Sequence, residues 1–174
     1  MRPGTRLGVD VGSVRVGVAR SDPAGLLATP VRTLRRGKGD LAQLVALAAE
    51  HEAVEVVVGL PRTLAGHEGP AAAAALDYAE RVARRLPSVT VRVVDERLST
   101  VGAQRGLHEV GVDTRRGRKV IDQAAAVIIL QGALDAERAT GAPPGRVVRP
   151  QRAQEGQDGD VGPGEPAPTS KEEE

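Results

Sequence analysis

The chain has 174 residues, 24 basic and 23 acidic, with no cysteine and a single aromatic residue, a tyrosine. That length allows one domain able to bury a core, which must be built from Val, Leu, Ile and Ala. The missing cysteines exclude disulfides and thiolate metal sites, and the near absence of aromatics excludes base stacking as a main binding mode.

Residues 5–11 and 14–21 are Val-rich and separated by a "VGS" turn, which predicts two adjacent strands. A third, over 26–33 ("LLATPVRT"), contains Pro30, which argues for a sheet edge or a strand end. In "GDLAQLVALAAE" Asp40 is placed as N-cap with Gln43 three positions on, and apolar residues at 41, 44, 45 and 48 mark one helix face. "VEVVVGLP" then reads as a short buried strand, and "GPAAAAALDYAERVARRL" as a helix by its alanines and early Pro70. "VTVRVVDERLST" reads as a strand running into a helix from about Thr100, and "KVIDQAAAVIILQGALDAERA" as a long helix apolar on most sides. This order predicts an α/β fold, one mixed sheet covered by helices.

The domain is expected over residues 1–142, and 143–174 as a disordered acidic tail, too poor in apolar residues to offset its ordering entropy. Residues 150–174 hold two basic and seven acidic side chains, which leaves 22 basic and 16 acidic residues on a basic body. The tail is either a solvated appendage or a competitor with phosphates for that body. No stretch reads as a signal peptide or an apolar membrane span, so a cytoplasmic protein without a membrane partner is expected.

Asp10 stands in the middle of an apolar run, Glu96 at the carboxyl end of the last strand, and Asp122 near the start of the long helix. If the first and last strands are near neighbours, the three converge, and carboxylates so gathered repel unless a hard cation neutralises them. Each has an alternative. Asp10 could cap a turn through the amides of Gly12 or Ser13. Glu96 could pair with Arg97 or Arg92, with Asp95 competing for its role, and Asp122 could serve the helix dipole. Small Ala125 and Ala126 on the face of Asp122 would let the helix approach the sheet.

The ordered motifs "LGVDVGSVRVGVARSD", "VVVGLP" followed by a Gly-Pro, "VDERLST" and "KVIDQAAAVIILQ" resemble the YqgF family, also called RuvX, over roughly residues 5–138. The resemblance implies a ribonuclease H-like fold and phosphodiester hydrolysis of structured nucleic acid, either pre-16S ribosomal RNA or a four-way DNA junction. By the same resemblance Asp10, Glu96 and Asp122 are the catalytic and metal-binding carboxylates, for magnesium or manganese; Asp10, as the strand-centre residue and so the most rigidly held, is expected to bridge. Arg15, Arg97 and Lys119 match the family's basic positions, where phosphate contact is expected. Arg116 joins them through the basic run "RRGRK", residues 115–119, expected just before the long helix. The loop "RTLAGHEGP" departs from the family pattern at Thr63 and Ala65, so no metal ligand is assigned there, although Arg62 and His67 could face substrate. His51 and His108 receive no role.

Two other classes fit parts of the sequence. Actin-like kinases share such a first strand, but the body is too short for their two domains. A ribonuclease H-like module could bind RNA in ribosome biogenesis or transcription without cutting it. Junction cutting needs two active sites and hence a homodimer, whereas precursor trimming needs only a monomer, and no dimer surface is legible.

Overall fold

The computed structural model describes residues 2–61, 69–95 and 115–149, with the backbone only over 115–121. Its elements are β1 (Arg6–Val11), β2 (Arg15–Ser21), β3 (Ala28–Arg35), α1 (Asp40–Glu50), β4 (Glu55–Leu60), α2 (Pro70–Arg85), β5 (Thr90–Asp95), α3 (Arg115–Thr140) and β6 (Arg146–Val147). They form a mixed six-stranded sheet in the order β3-β2-β1-β4-β5-β6. The first three strands make an antiparallel meander, β1, β4 and β5 run parallel, and β6 closes antiparallel on β5. Pro30 therefore sits on an edge strand, as its missing N–H requires, beside a register shift between Val18 and Ala19.

Side-chain alternation divides the core. Val9, Val16, Val58 and Val93 face α1 and α2, where they pack with Leu44, Tyr78 and Val82. Ala19, Val57 and Val94 face α3 and pack on Ala126, Leu130 and Leu134. Among the described residues no helix is long and apolar enough to cross a membrane.

Four local expectations shift. Gly39, at φ 98°, is the N-cap of α1, and Asp40 is its first helical residue. The Asp40 carboxylate still caps locally, accepting from Leu41 N at 2.6 Å and Gly37 N at 3.2 Å. The third strand runs over 28–35, because Asp22 folds residues 22–27 into a loop by accepting from the amides of Leu26 and Leu27 at 2.6 and 2.7 Å. The long helix begins at Arg115, so the basic run lies inside it rather than before it. Finally, β6 falls beyond the boundary drawn at residue 142: Val148 N donates to Val91 O at 2.8 Å, and Gly145, at φ 73°, packs where a β-carbon would overlap the carbonyl of Val93. Residues 150–174 lie outside the described residues.

A buried ionic cluster ties the amino end of β1 to β4, β5 and α3. Glu55, 2% exposed, meets Arg2 at 2.8 Å, Arg92 at 3.0 Å and Arg6 at 3.4 Å. Glu137 of α3 meets Arg2 at 3.0 Å and Arg6 at 3.5 Å. Each buried carboxylate is thus multiply paired, the condition under which buried charge is tolerated.

Candidate active site

At the other end of the same sheet face the packing is closer. Gly8 of β1 and Gly17 of β2 both point at α3. A β-carbon on Gly8 would lie 2.6 Å from Leu130 Cβ and 2.9 Å from the carbonyl of Ala126, and one on Gly17 would overlap the carbonyl of Asp122. Two missing side chains therefore let the helix backbone rest on the strands. On the helix side Ala126 is fully buried and Ala125 half-buried, so the expected small face is present. Glycine inside a strand pattern is the sequence signal for such an approach.

This contact delivers Asp122 to Asp10. Asp10 pairs across the sheet with Gly17 and is half-buried. Its carboxyl is pushed up to about 6, first by desolvation and then by the charge of Asp122. Arg15, at the start of β2, donates from Nε to Asp122 Oδ2 at 2.5 Å, both side chains being about one quarter exposed at 27% and 23%. The site is thus two carboxylates with one cation bound to the second of them.

The alternative roles of Asp10, Asp122 and Asp95 find little support among the described residues. The amide of Gly12 donates to Arg15 O at 2.9 Å, and no described residue donates a hydrogen bond to the Asp10 carboxylate. Asp122 lies seven residues beyond Arg115, the first residue of α3, whereas the dipole acts within the first turn. Asp95 ends β5 opposite Leu60. Its parity is that of Val91 and Val93, which face α1 and α2, so it belongs to the sheet face away from Asp10.

Glu96 and Arg97 lie outside the described residues, as do His108 and the loop residues Arg62, Thr63, Ala65 and His67. Arg116 and Lys119 fall in the first turns of α3, where only the backbone is described. His51 follows α1 and lies 3.5 Å from Arg20 Nη1. Among the described residues no group of three His, Cys, Asp or Glu side chains could hold a metal. The pair itself fits a hard divalent cation: its donors are carboxylate oxygens, and Asp10 is desolvated beside a second negative charge that a cation would offset.

A six-stranded mixed sheet in this order, with one long helix across the face that carries the carboxylates, is a ribonuclease H-like fold. The chain superposes on RuvC of Thermus thermophilus in complex with a Holliday junction substrate with a TM-score of 0.55, at 14% identity, over 81% of this chain and 99% of RuvC. Sequence relationship goes further than the fold. The chain belongs to the RuvX family, described as Holliday junction resolvase, whose model matches residues 4–136. A protein of Kineococcus radiotolerans is 61% identical over 151 residues, covering 85% of this chain and 80% of the relative. One of a Nocardioides species is 57% identical over 153 residues, covering 85% and 98%. Both carry the name "Putative pre-16S rRNA nuclease". Asp10, Arg15 and Asp122 all fall within the matched residues.

Proposed function

We propose that the chain is a divalent-metal-dependent endonuclease that hydrolyses phosphodiester bonds of structured nucleic acid, acting in 5′-end processing of pre-16S rRNA. Asp10, Asp122 and Glu96 are its catalytic and metal-holding carboxylates. One observation carries the reading: two glycines bring Asp122 beside Asp10, where burial first and the charge of Asp122 second raise the Asp10 carboxyl to about 6. A like-charged pair kept in a desolvated place calls for a cation. Magnesium or manganese, when bound, supplies an activated water and charge stabilisation at the departing oxygen.

The protein's own residues do the rest. Asp10, held in the central part of the sheet between β2 and β4, is the most rigidly placed donor. Arg15 fixes the orientation of Asp122 through its Nε bond and adds positive charge where a phosphate would approach. Arg97, Arg116 and Lys119 are assigned to phosphate contact. Replacing Arg116 and Lys119 together by Ala should weaken binding to many sequences alike and flatten its salt dependence by about one to two units of slope.

The relatives' names favour an rRNA precursor, whereas the family's description favours a four-way junction. Side-by-side cleavage of labelled precursor RNA and a DNA junction, with and without magnesium and with oligomeric state measured in the same buffer, tests the reading. Magnesium-dependent cleavage of the precursor by a monomer supports it. Cleavage of the junction alone by a dimer would instead make the chain a resolvase, and tight binding with no cleavage of either would make it a binding module.

A further inference from the structure

Arg15 and Arg35 stand directly opposite each other on β2 and β3. Cross-strand partners share a face at about 5 Å between β-carbons, and like charges so placed repel. The neighbouring pairs confirm the register: Val16 and Leu34 are both buried in the core under α1 and α2, which leaves Arg15 and Arg35 on the face of α3, Asp10 and Asp122. The two arginines differ in what surrounds them. Arg15 is neutralised by Asp122, whereas Arg35 is exposed and has no acidic partner among the described residues. Lys38, also exposed, follows three positions later.

The direction of the strands adds the second element. β1 ends where β2 begins and β3 ends, and Asp10 pairs with Gly17, two residues along β2 from the Arg15–Arg35 pair. The three residues therefore share one face near one end of the sheet, on a diagonal across three strands. Arg35 is two strand spacings, about 10 Å, from the Asp10 strand. Its long side chain is therefore free to meet an anion that lies beside the carboxylate pair without being the anion held there.

On the reading of the site as a phosphodiester hydrolase, we infer that Arg35 grips a backbone phosphate flanking the scissile one and so sets how the strand crosses the sheet edge. A phosphate on Arg35 would offset the unfavourable arginine pair from its far side, as Asp122 already does on the Arg15 side. Arg35 is a substrate-positioning residue, and it leaves the cation site untouched. Arg32, on the same strand and also exposed, pairs with Val18 and so faces the other side of the sheet. It supplies the internal control.

The test is a binding titration of the full chain, as wild type, Arg35→Ala, Arg35→Lys and Arg32→Ala, against a fluorescein-labelled RNA stem with single-stranded flanks over a range of salt. Arg35→Ala should bind more weakly, with the slope of log affinity against log salt shallower by about 0.7–0.9 unit, the value for one lost phosphate contact. Arg35→Lys should recover most of that slope, and Arg32→Ala should keep it. The thermal midpoint of Arg35→Ala should equal or exceed that of wild type, because a repulsion is removed. Wild-type affinity and slope in Arg35→Ala, or an equal loss in Arg32→Ala, would overturn the inference while leaving the hydrolase reading standing. Failure of the wild type to bind RNA at any salt would overturn that reading, and the inference with it.

Discussion

The main-chain carbonyl of Asp122 lies against Gly17, so near that a β-carbon at residue 17 would overlap it. Position of the helix carboxylate thus depends on the absence of a side chain on a neighbouring strand. Gly17→Ala should push α3 off the sheet and destabilise the fold by about 1–3 kcal/mol, the usual range for overpacking. Because displacement of a reacting group by about 1 Å can cost about 100-fold in rate, cleavage should fall much further than stability does. Thermal unfolding and cleavage rate of the same preparation check this; loss of stability with full cleavage would show that Asp122 has no fixed role.

Asp10 gives the site a pH signature. Its carboxyl is raised to about 6 from a usual value of 3.8, so between those values the folded chain binds a proton that the unfolded chain has released. Stability of the metal-free protein must therefore fall as pH rises through this window. Asp10→Asn should be more stable than wild type above about pH 6, by at most about 2 kcal/mol after allowance for partial exposure, with the difference fading below pH 4. Denaturation midpoints in chelator across pH 4–8 measure it, and an equal difference at every pH would contradict the electrostatic cause.

The opposite sign holds at the other end of the sheet face. The Arg2 guanidinium, hydrogen-bonded to Glu137, holds that carboxyl down at about 2, against a usual value of 4.5. Its stabilisation is complete above pH 4.5 and disappears as pH falls through about 2. Glu137→Gln should lose about 1–3 kcal/mol at neutral pH, since it leaves Arg2 and the buried Arg6 to share the carboxylate of Glu55. The two proteins should converge in stability in acid, and a constant gap would show that packing rather than charge is at work.

Much of this architecture is legible in the sequence because its periods are plain. Alternation in residues 6–21 and the apolar face of residues 41–48 give the element order, and a lone carboxylate in the run around Asp10 marks the candidate site. Asp122 is legible through the alanines beside it. What escapes has no local period. The strand Arg146–Val147 is two residues long and exposed, fixed by its bonds to β5 and by Gly145 rather than by hydrophobicity. The cluster of Arg2 with Glu137 joins residues 135 positions apart. The start of α3 is hidden because Gly117 lies within "RRGRK" and no apolar stripe begins until Val120. Arg35 becomes notable only through its register with Arg15.

The short strand β6 makes truncation informative. A chain ending at Arg149 should unfold at the wild-type midpoint and bind nucleic acid at least as well, because seven acidic and two basic side chains are removed. A chain ending at Ala142 should unfold several degrees lower, having lost the Val148 to Val91 bond and the Gly145 carbonyl that accepts from Arg92. Equal midpoints for both truncations would show that β6 adds nothing to stability.

The most direct test of the carboxylate site is the cleavage rate of Asp10→Asn beside its affinity for the same labelled RNA, in magnesium. The substitution keeps the side chain's shape and removes the charge that would hold a cation, so cleavage should fall by orders of magnitude while binding persists or tightens. Cleavage at the wild-type rate by a folded Asp10→Asn protein would contradict the assignment of Asp10, and with it the metal-dependent hydrolysis built on its proximity to Asp122.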